Sequence, residues 1–163
     1  MPVKAVNEMS PNEGIALSAT GERQRWMAVL ARASTGDLRR GWNAITDAPQ
    51  YRFLRQPEIG LAMVRGRAGG TGTRFNLGEM TVTRCVVETD SGCTGHAYIA
   101  GRDTEKATLA ALFDALLQNA DRRAALLATV IAPLAMDQNR RIRERQSKVA
   151  ATKVDFFTMV RGD

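Results

Sequence analysis

The sequence has little of the chemistry from which metal and redox sites are built. Only two cysteines, Cys85 and Cys93, and one histidine, His96, occur in 163 residues. Two thiols make a poor disulfide framework, and the pattern C-x7-C-x2-H lacks the short paired spacing of structural zinc sites. We therefore predict two reduced cysteines on strands, no metal site, and no cofactor bound by this chain alone.

Long apolar runs are also absent. No stretch approaches the roughly 18–20 apolar residues that cross a bilayer. The first twenty residues contain one short apolar stretch, 14–17, and they carry Glu8 and Glu13, so they do not resemble a secretory signal. A soluble, cytoplasmic protein is expected, with a flexible N-terminal extension over 1–20 and a single domain over 21–153.

The overall composition is that of an ordinary globular domain, with 44% apolar and 25% charged residues. The 23 lysines and arginines exceed the 17 aspartates and glutamates, which gives a net charge of +6. Such a charge favours an anionic partner, which could be a nucleic acid, a nucleotide, a phosphorylated small molecule or an acidic protein face. Charge alone does not choose among them.

Apolar residues at helical spacing predict helices on both sides of a strand region. The first helix is expected over about 22–34, and a second segment continues to about residue 46. Helical spacing returns after Gly101, where Asp103 or Thr104 is expected to cap the new helix. Its apolar stripe consists of Leu109, Leu112, Phe113, Leu116 and Leu117.

Two further helices are expected near the C-terminus. One is predicted over 121–131, ending before Pro133, and the other over about 136–153. The last helix is rich in arginine and lysine and has few apolar residues. It is either a solvated helix or one that faces a partner. It lacks the aromatic residues that stack on bases, and no nucleic-acid fold signature accompanies it.

Between the helices the apolar period changes to two, which predicts strands. The alternating sets are Tyr51 and Phe53, then Ile59, Leu61 and Met63, then Met80, Val82 and Val86, then Ala97 and Ile99. The expected connections are 56–58, the glycine loop 66–72 and 90–92, and such short turns favour an antiparallel meander. We predict an α+β fold with a meander sheet of four or five strands, and with the helices packed mainly on one face.

The most conspicuous loop lies at 65–74. Glycines let backbone N–H groups approach a phosphate, and flanking arginines could neutralise it. The loop lacks both the Walker A and the G-x-G-x-x-G patterns, and it joins two strands where a phosphate loop opens a helix. It is either a flexible hairpin with solvated arginines or a site on the anion or substrate side. The candidate residues are Arg65, Arg67, Gly69, Gly70, Gly72 and Arg74.

No convincing catalytic set is present. His96 should share a strand face with Thr94 and Tyr98, but a general base needs an orienting partner that the sequence does not show. It is either an ordinary strand histidine or a catalytic one. No pair of carboxylates has distinctive spacing, and Asp114 is interpreted as a solvated helix position. We therefore predict no catalytic residue in this chain.

The terminal decapeptide 154–163 contains five apolar residues. Chain ends usually fray, so apolar residues there need burial. They either form a last strand of the chain's own sheet or dock on another chain. The candidates for a partner interface are Phe156, Phe157, Met159, Val160 and Arg161.

Five segments form an ordered set across the domain. They are Arg67-Ala68-Gly69-Gly70-Thr71-Gly72, Thr81-Val82-Thr83-Arg84, Gly101-Arg102-Asp103, Ile131-Ala132-Pro133-Leu134 and Val154-Asp155-Phe156-Phe157-Thr158-Met159-Val160-Arg161-Gly162. This set resembles the PhnG family, the small G subunits of the bacterial carbon–phosphorus lyase system. The resemblance covers about residues 24–163.

The resemblance implies a role as one subunit of a core complex with H, I and J subunits, and an ATPase-like L protein is also required for the reaction. The implied reaction transfers the ribose triphosphate moiety of MgATP to methylphosphonate and releases adenine. The I subunit is expected to carry the nucleosidase-like chemistry, and the J subunit to break the carbon–phosphorus bond later. The resemblance supplies no catalytic residue for this chain, which is expected to be a non-catalytic subunit of the transferase.

Two alternatives come from the residues themselves. The charge of +6 and the basic helix suit a non-enzymatic nucleic-acid-binding or regulatory domain, whose binding should weaken steeply as salt rises. The glycine loop and His96 suit an independent nucleotide-using enzyme, which would turn over ATP by itself.

Overall fold

The computed structural model describes residues 19–67 and 72–151. The chain begins with two helices, α1 (Ala19–Arg32) and α2 (Thr35–Asn43). Three strands follow, β1 (Tyr51–Gly66), β2 (Phe75–Thr89) and β3 (Thr94–Ala100). The C-terminal half contains α3 (Thr104–Gln118), α4 (Ala120–Leu126), a π-helical turn (Leu127–Ile131) and α5 (Ala132–Ala151).

Within the described residues, the sheet is an antiparallel meander of three strands in the order β1-β2-β3. The α+β class was correctly predicted, but the expected four or five strands were wrong. The segment 56–58 was interpreted as a turn because it contains Pro57, whereas it lies inside β1. Proline is tolerated there because β1 is an edge strand and the ladder with β2 shifts register between Arg55 and Glu58.

Helix α3 packs across one face of the sheet and forms the centre of the core. Ten of its fifteen residues are buried, including Phe113 and Leu117. Cys85 and Val87 of β2 and Ile99 of β3 are buried in the same cluster. Asp103 caps the helix, because its Oδ1 accepts a hydrogen bond from the Lys106 N–H at 2.8 Å.

The helix and the sheet approach each other most closely at Gly95. A Cβ atom at this position would lie 1.9 Å from the carbonyl oxygen of Ala111 and 2.7 Å from the backbone nitrogen of Ala115. Only a residue without a side chain fits such a contact between backbones. Gly95 therefore sets the spacing between α3 and β3.

The β1–β2 hairpin is much longer than the helix that covers it. The 16 residues of β1 span about 53 Å at about 3.3 Å per residue, whereas the 15 residues of α3 span about 22 Å at 1.5 Å per residue. The distal part of the hairpin therefore extends beyond the helical layer. We call this part, residues 59–66 and 75–81, the hairpin arm.

Helices α4 and α5 are joined without a break by the π-helical turn. The helix predicted over 121–131 was expected to end before Pro133, but helical structure continues through it to Ala151. Proline lacks the N–H that an α-helix needs, and a π-turn relieves this conflict locally. The Ala132 N–H bonds to the Leu127 carbonyl, which is the i to i+5 pattern of that turn.

Candidate functional site

The described residues on both sides of the glycine loop belong to the end of the hairpin arm, and the sequence position of the loop between two strands was correctly predicted. Arg65 pairs with Asn76 and Gly66 with Phe75, and these are the last pairs of the β1–β2 ladder. The flanking arginines and the one described glycine among the candidates are exposed, namely Arg65, Arg67, Gly72 and Arg74. Gly69 and Gly70 lie outside the described residues, so the loop's capacity to hold a phosphate stays a prediction.

The arginines of the tip carry uncompensated charge within the described structure. All eleven ion pairs found among the described residues lie elsewhere, and none includes Arg65, Arg67 or Arg74. The described part of the arm has one carboxylate, Glu79, which pairs across the ladder with Met63. The tip is therefore a positive end on a basic chain, suited to an anionic partner or ligand.

The arm also presents large apolar side chains to the outside. Ile59, Leu61 and Met63 share a strand face, as predicted, yet their exposed fractions are 51%, 62% and 53%. Other large apolar side chains of the arm are also exposed, namely Phe75, Leu77 and Met80. Because apolar groups clustered on a surface mark interaction sites, the hairpin arm is a candidate protein interface.

Reasoning from the sequence did not identify this surface. Alternation shows which side chains share a face, but it does not show whether anything covers that face. The missing signal was length: an uninterrupted strand of 16 residues is longer than a helix of 15 residues can cover. The assumed break at Pro57 concealed that signal.

Asp114 is a buried polar residue of the core whose two carboxylate oxygens both accept hydrogen bonds. The prediction that it occupies a solvated helix position is therefore wrong. Its side chain is fully buried, with 0% exposure. Oδ1 accepts hydrogen bonds from Arg23 Nε at 3.1 Å and Trp26 Nε1 at 2.9 Å. Oδ2 accepts from Arg23 Nη2 at 2.6 Å and from the backbone N–H of His96 at 2.9 Å.

This carboxylate therefore joins three elements, α1, α3 and β3. Its hydrogen bonds raise the pKa of Arg23, and its charge acts in the same direction. A buried carboxylate is stable only when it is paired and its acceptor positions are filled, which is the case here. We interpret Asp114 as a structural group that fixes α1 against the edge of the sheet.

His96 shares an exposed face with Thr94 and Tyr98, as its strand pattern predicted. Its ring Nδ1 lies 3.2 Å from Nη2 of Arg23. A general base is normally oriented by a partner that accepts from its ring, whereas the ring of His96 contacts a guanidinium, which can only donate. The geometry therefore favours the ordinary strand histidine over the catalytic one.

Both cysteines are free thiols in the described structure. Cys85 is on β2, and burial raises the pKa of its thiol, so the nucleophilic thiolate is disfavoured. Cys93 lies just before β3, in the turn that follows β2, not on a strand. In residues 19–67 and 72–151, no group of three or more potential ligand side chains could hold a metal ion.

No helix in these ranges has both the length and the apolar character to cross a membrane.

The basic helix α5 is exposed over its C-terminal half. Asp137 pairs with Arg140 and with Arg141, and the distance from its Oδ2 to Nη2 of Arg141 is 2.7 Å. Exposed Ile142 and Val149 are seven residues apart and share a helix face. The tail candidates Phe156, Phe157, Met159, Val160 and Arg161 lie outside the described residues.

Comparison with known proteins identifies the family. The model of the family described as "Phosphonate metabolism protein PhnG" matches residues 21–162. The chain is also 47% identical over 149 residues to a protein of Rhizobium meliloti (strain 1021), covering 90% of this chain and 93% of the relative. That relative is named alpha-D-ribose 1-methylphosphonate 5-triphosphate synthase subunit PhnG. The chain therefore belongs to the PhnG family of phosphonate metabolism proteins.

Proposed function

We propose that this chain is a subunit of a bacterial α-D-ribose 1-methylphosphonate 5-triphosphate synthase and acts in the catabolism of organic phosphonates. The observation that carries the proposal is the 47% identity to the named synthase subunit over 90% of the chain. Two chains so similar over nearly their whole lengths share a fold, and this supports a shared subunit role. The alternative as an independent nucleotide enzyme has no such support.

The reaction that follows from this proposal joins the ribose triphosphate moiety of ATP to methylphosphonate with release of adenine. The complex would use MgATP, and its further subunits would be those of the carbon–phosphorus lyase system, of the H, I and J types, with an ATPase-like L protein. A cytoplasmic location belongs to the same proposal, because ATP is a cytoplasmic substrate.

The surfaces of the chain favour the role of a non-catalytic subunit over that of a catalytic one. The buried carboxylate Asp114 is used by structural hydrogen bonds, and His96 faces Arg23. By contrast, the hairpin arm combines exposed apolar side chains with arginines at its tip. Such a surface suits a subunit that binds other chains and contributes positive charge near anionic substrates.

The proposal is tested by co-purification. The tagged full chain is expressed with the other synthase subunits of its organism, and the bound proteins are identified after gel filtration. We expect a stable complex that contains this chain in fixed proportion to the others. Recovery of the chain alone would contradict the proposal, and salt-dependent binding of nucleic acid would then favour the alternative of a nucleic-acid-binding domain.

The tip arginines are tested in the same complex. Replacing all three with alanine should weaken the apparent affinity for ATP and methylphosphonate without preventing assembly, because positive charge raises the local concentration of anionic substrates. The effect should shrink at high salt, since salt screens exposed charges. Unchanged affinity at low salt would show that these arginines do not contribute to substrate binding. The residues replaced are Arg65, Arg67 and Arg74.

A further inference from the structure

The outer edge of β1 has no neighbouring strand among the described residues. The sheet order is β1-β2-β3, so β1 pairs with β2 on one side only. In an antiparallel edge strand, every second residue directs its N–H and C=O groups away from its one neighbour. These groups form a template on which another strand can pair.

The features that normally protect such an edge lie on either side of residues 58–64, and one of them, a register shift between Val64 and Arg65, is near the tip. Pro57 and two register shifts lie between Phe53 and Glu58. From Glu58 to Val64 the ladder with β2 is regular, with seven consecutive pairs. A long, regular and apolar edge without such features associates with other chains unless a partner covers it.

The side chains along this regular stretch provide a second observation. Ile59, Leu61 and Met63 project from one face at alternate positions, each more than half exposed. A strand added to the edge of β1 would place its own alternate side chains beside them. Recognition of this kind combines main-chain hydrogen bonds, which give affinity, with side-chain contacts, which give specificity.

Charge identifies the kind of strand that fits. The arm ends in three exposed arginines, and the described part of the chain places no carboxylate within 4.0 Å of them. A second copy of this chain is a poor match. In the one self-pairing register that is centred on Leu61, Arg67 would lie opposite Arg55 of the other copy, since each is six residues from the centre. Like charges directly opposite each other are destabilising, and each copy has a net charge of +6.

We propose that residues 59–64 of β1 form a strand-addition site for an extended segment of another subunit, in which apolar residues alternate with others and acidic residues meet the arginine tip. This inference rests on the proposed function, because it places the added strand within the synthase complex. The contact extends the three-stranded sheet to four strands in the assembly.

Hydrogen exchange resolved to single amides tests the proposal on the free full chain and on the co-purified complex. Within 59–64, every second amide should exchange about tenfold or more slowly in the complex, because only the outward N–H groups gain a partner. The intervening amides already bond to β2 and should change less. Equal slowing of all of them would indicate simple coverage without strand pairing, and would overturn the proposal.

A matched pair of substitutions supplies a second readout. Leu61→Glu places a charge on the apolar face of the arm, whereas Leu54→Glu places the same charge on the proximal part of the same strand, where Leu54 is also about half exposed. Leu61→Glu should lower the yield of complex at least about tenfold, and Leu54→Glu should not. Both variants should fold, because both side chains are exposed, and circular dichroism of the free chains checks this.

The outcomes separate this proposal from the function on which it rests. A complex that forms without alternating protection at 59–64 overturns the strand-addition site and leaves the proposed function intact. Failure of any complex to form contradicts the proposed function and the inference together. Protection that appears in the free chain as concentration rises, with a dimer mass, assigns the edge to a second copy and overturns the inference.

Discussion

Replacing the buried Asp114 with asparagine should destabilise the domain far more than the same change at an exposed carboxylate of the same helix. Asp114 accepts four hydrogen bonds with its two oxygens. Asparagine has the same shape, but it has no charge and its NH₂ group would face donors. The indole N–H of Trp26 or the backbone N–H of His96 would then lose its acceptor inside the core.

The magnitude follows from the loss of acceptors. Hydrogen bonds to charged groups contribute about 1.5–3 kcal/mol each, and an unsatisfied buried donor costs about 1–3 kcal/mol. Arg23 is one third exposed and can turn to water, so its share is reduced. We expect Asp114→Asn to cost about 2–4 kcal/mol and Asp114→Ala about 3–5 kcal/mol, as for other broken buried ion pairs. At about 2–4 °C per kcal/mol, Asp114→Asn should lower the Tm by about 4–16 °C.

Glu105 supplies the matched control. It also lies on α3 and accepts two hydrogen bonds from one arginine, Arg39, but both side chains are about half exposed. Exposed ion pairs contribute about 0–1 kcal/mol, so Glu105→Gln should change the stability by no more than that. Urea unfolding of the purified chain measures all three variants. Equal losses for Asp114→Asn and Glu105→Gln would refute the argument from burial.

Three further predictions concern other parts of the chain. Gly95→Ala should lower the free energy of unfolding by about 1–3 kcal/mol or more, because the added methyl group overpacks the contact between α3 and β3. Gly36→Ala in α2 should leave the stability unchanged or raise it by up to about 1 kcal/mol. Thermal unfolding of both variants measures these effects. Asp103→Ala should cost about 1 kcal/mol at neutral pH through the lost cap. The hydrogen bond from the Thr35 hydroxyl, followed by that from a backbone N–H, lowers the pKa of Asp103 below its ordinary value of 3.8. The stabilisation by ionised Asp103 is therefore fully present above the unfolded pKa and is lost as pH falls through the lower folded pKa. Urea unfolding at about pH 7, 5 and 3 measures the difference in free energy of unfolding between the native chain and Asp103→Ala. This difference should be the same at pH 7 and 5 and smaller at pH 3. A difference that is already smaller at pH 5 than at pH 7 would contradict the prediction. Deleting 154–163 should reduce assembly of the complex while the free domain stays folded by circular dichroism, and unchanged assembly would remove the tail from the interface.

The sequence predicted the features that depend on local chemistry. The α+β class, a cap of α3 at Asp103 or Thr104, and the position of the glycine loop between two strands follow from periodicity, side-chain capping and turn composition, and the structure has Asp103 as the cap. Each of these signals lies within about one helix or one hairpin, so it can be interpreted without knowledge of the tertiary packing.

The features that depend on distant packing could not be predicted. Asp114 looked solvated because its partners Arg23 and Trp26 are 91 and 88 residues away in sequence. Pro57 looked like a turn because the sequence does not show that its strand is at an edge. Pro133 looked like a helix end, whereas the π-turn before it allows the helix to continue although proline has no N–H to donate.

The central claim is that this chain is a required subunit of the synthase, and an add-back assay of activity tests it most directly. The remaining subunits are purified without this chain and supplied with MgATP and methylphosphonate, and adenine release is followed before and after the full chain is added. The account predicts little release without the chain and methylphosphonate-dependent release once it is added. Equal release in both cases would show that the chain is not required, and release of adenine by the chain alone would show that it is an enzyme by itself.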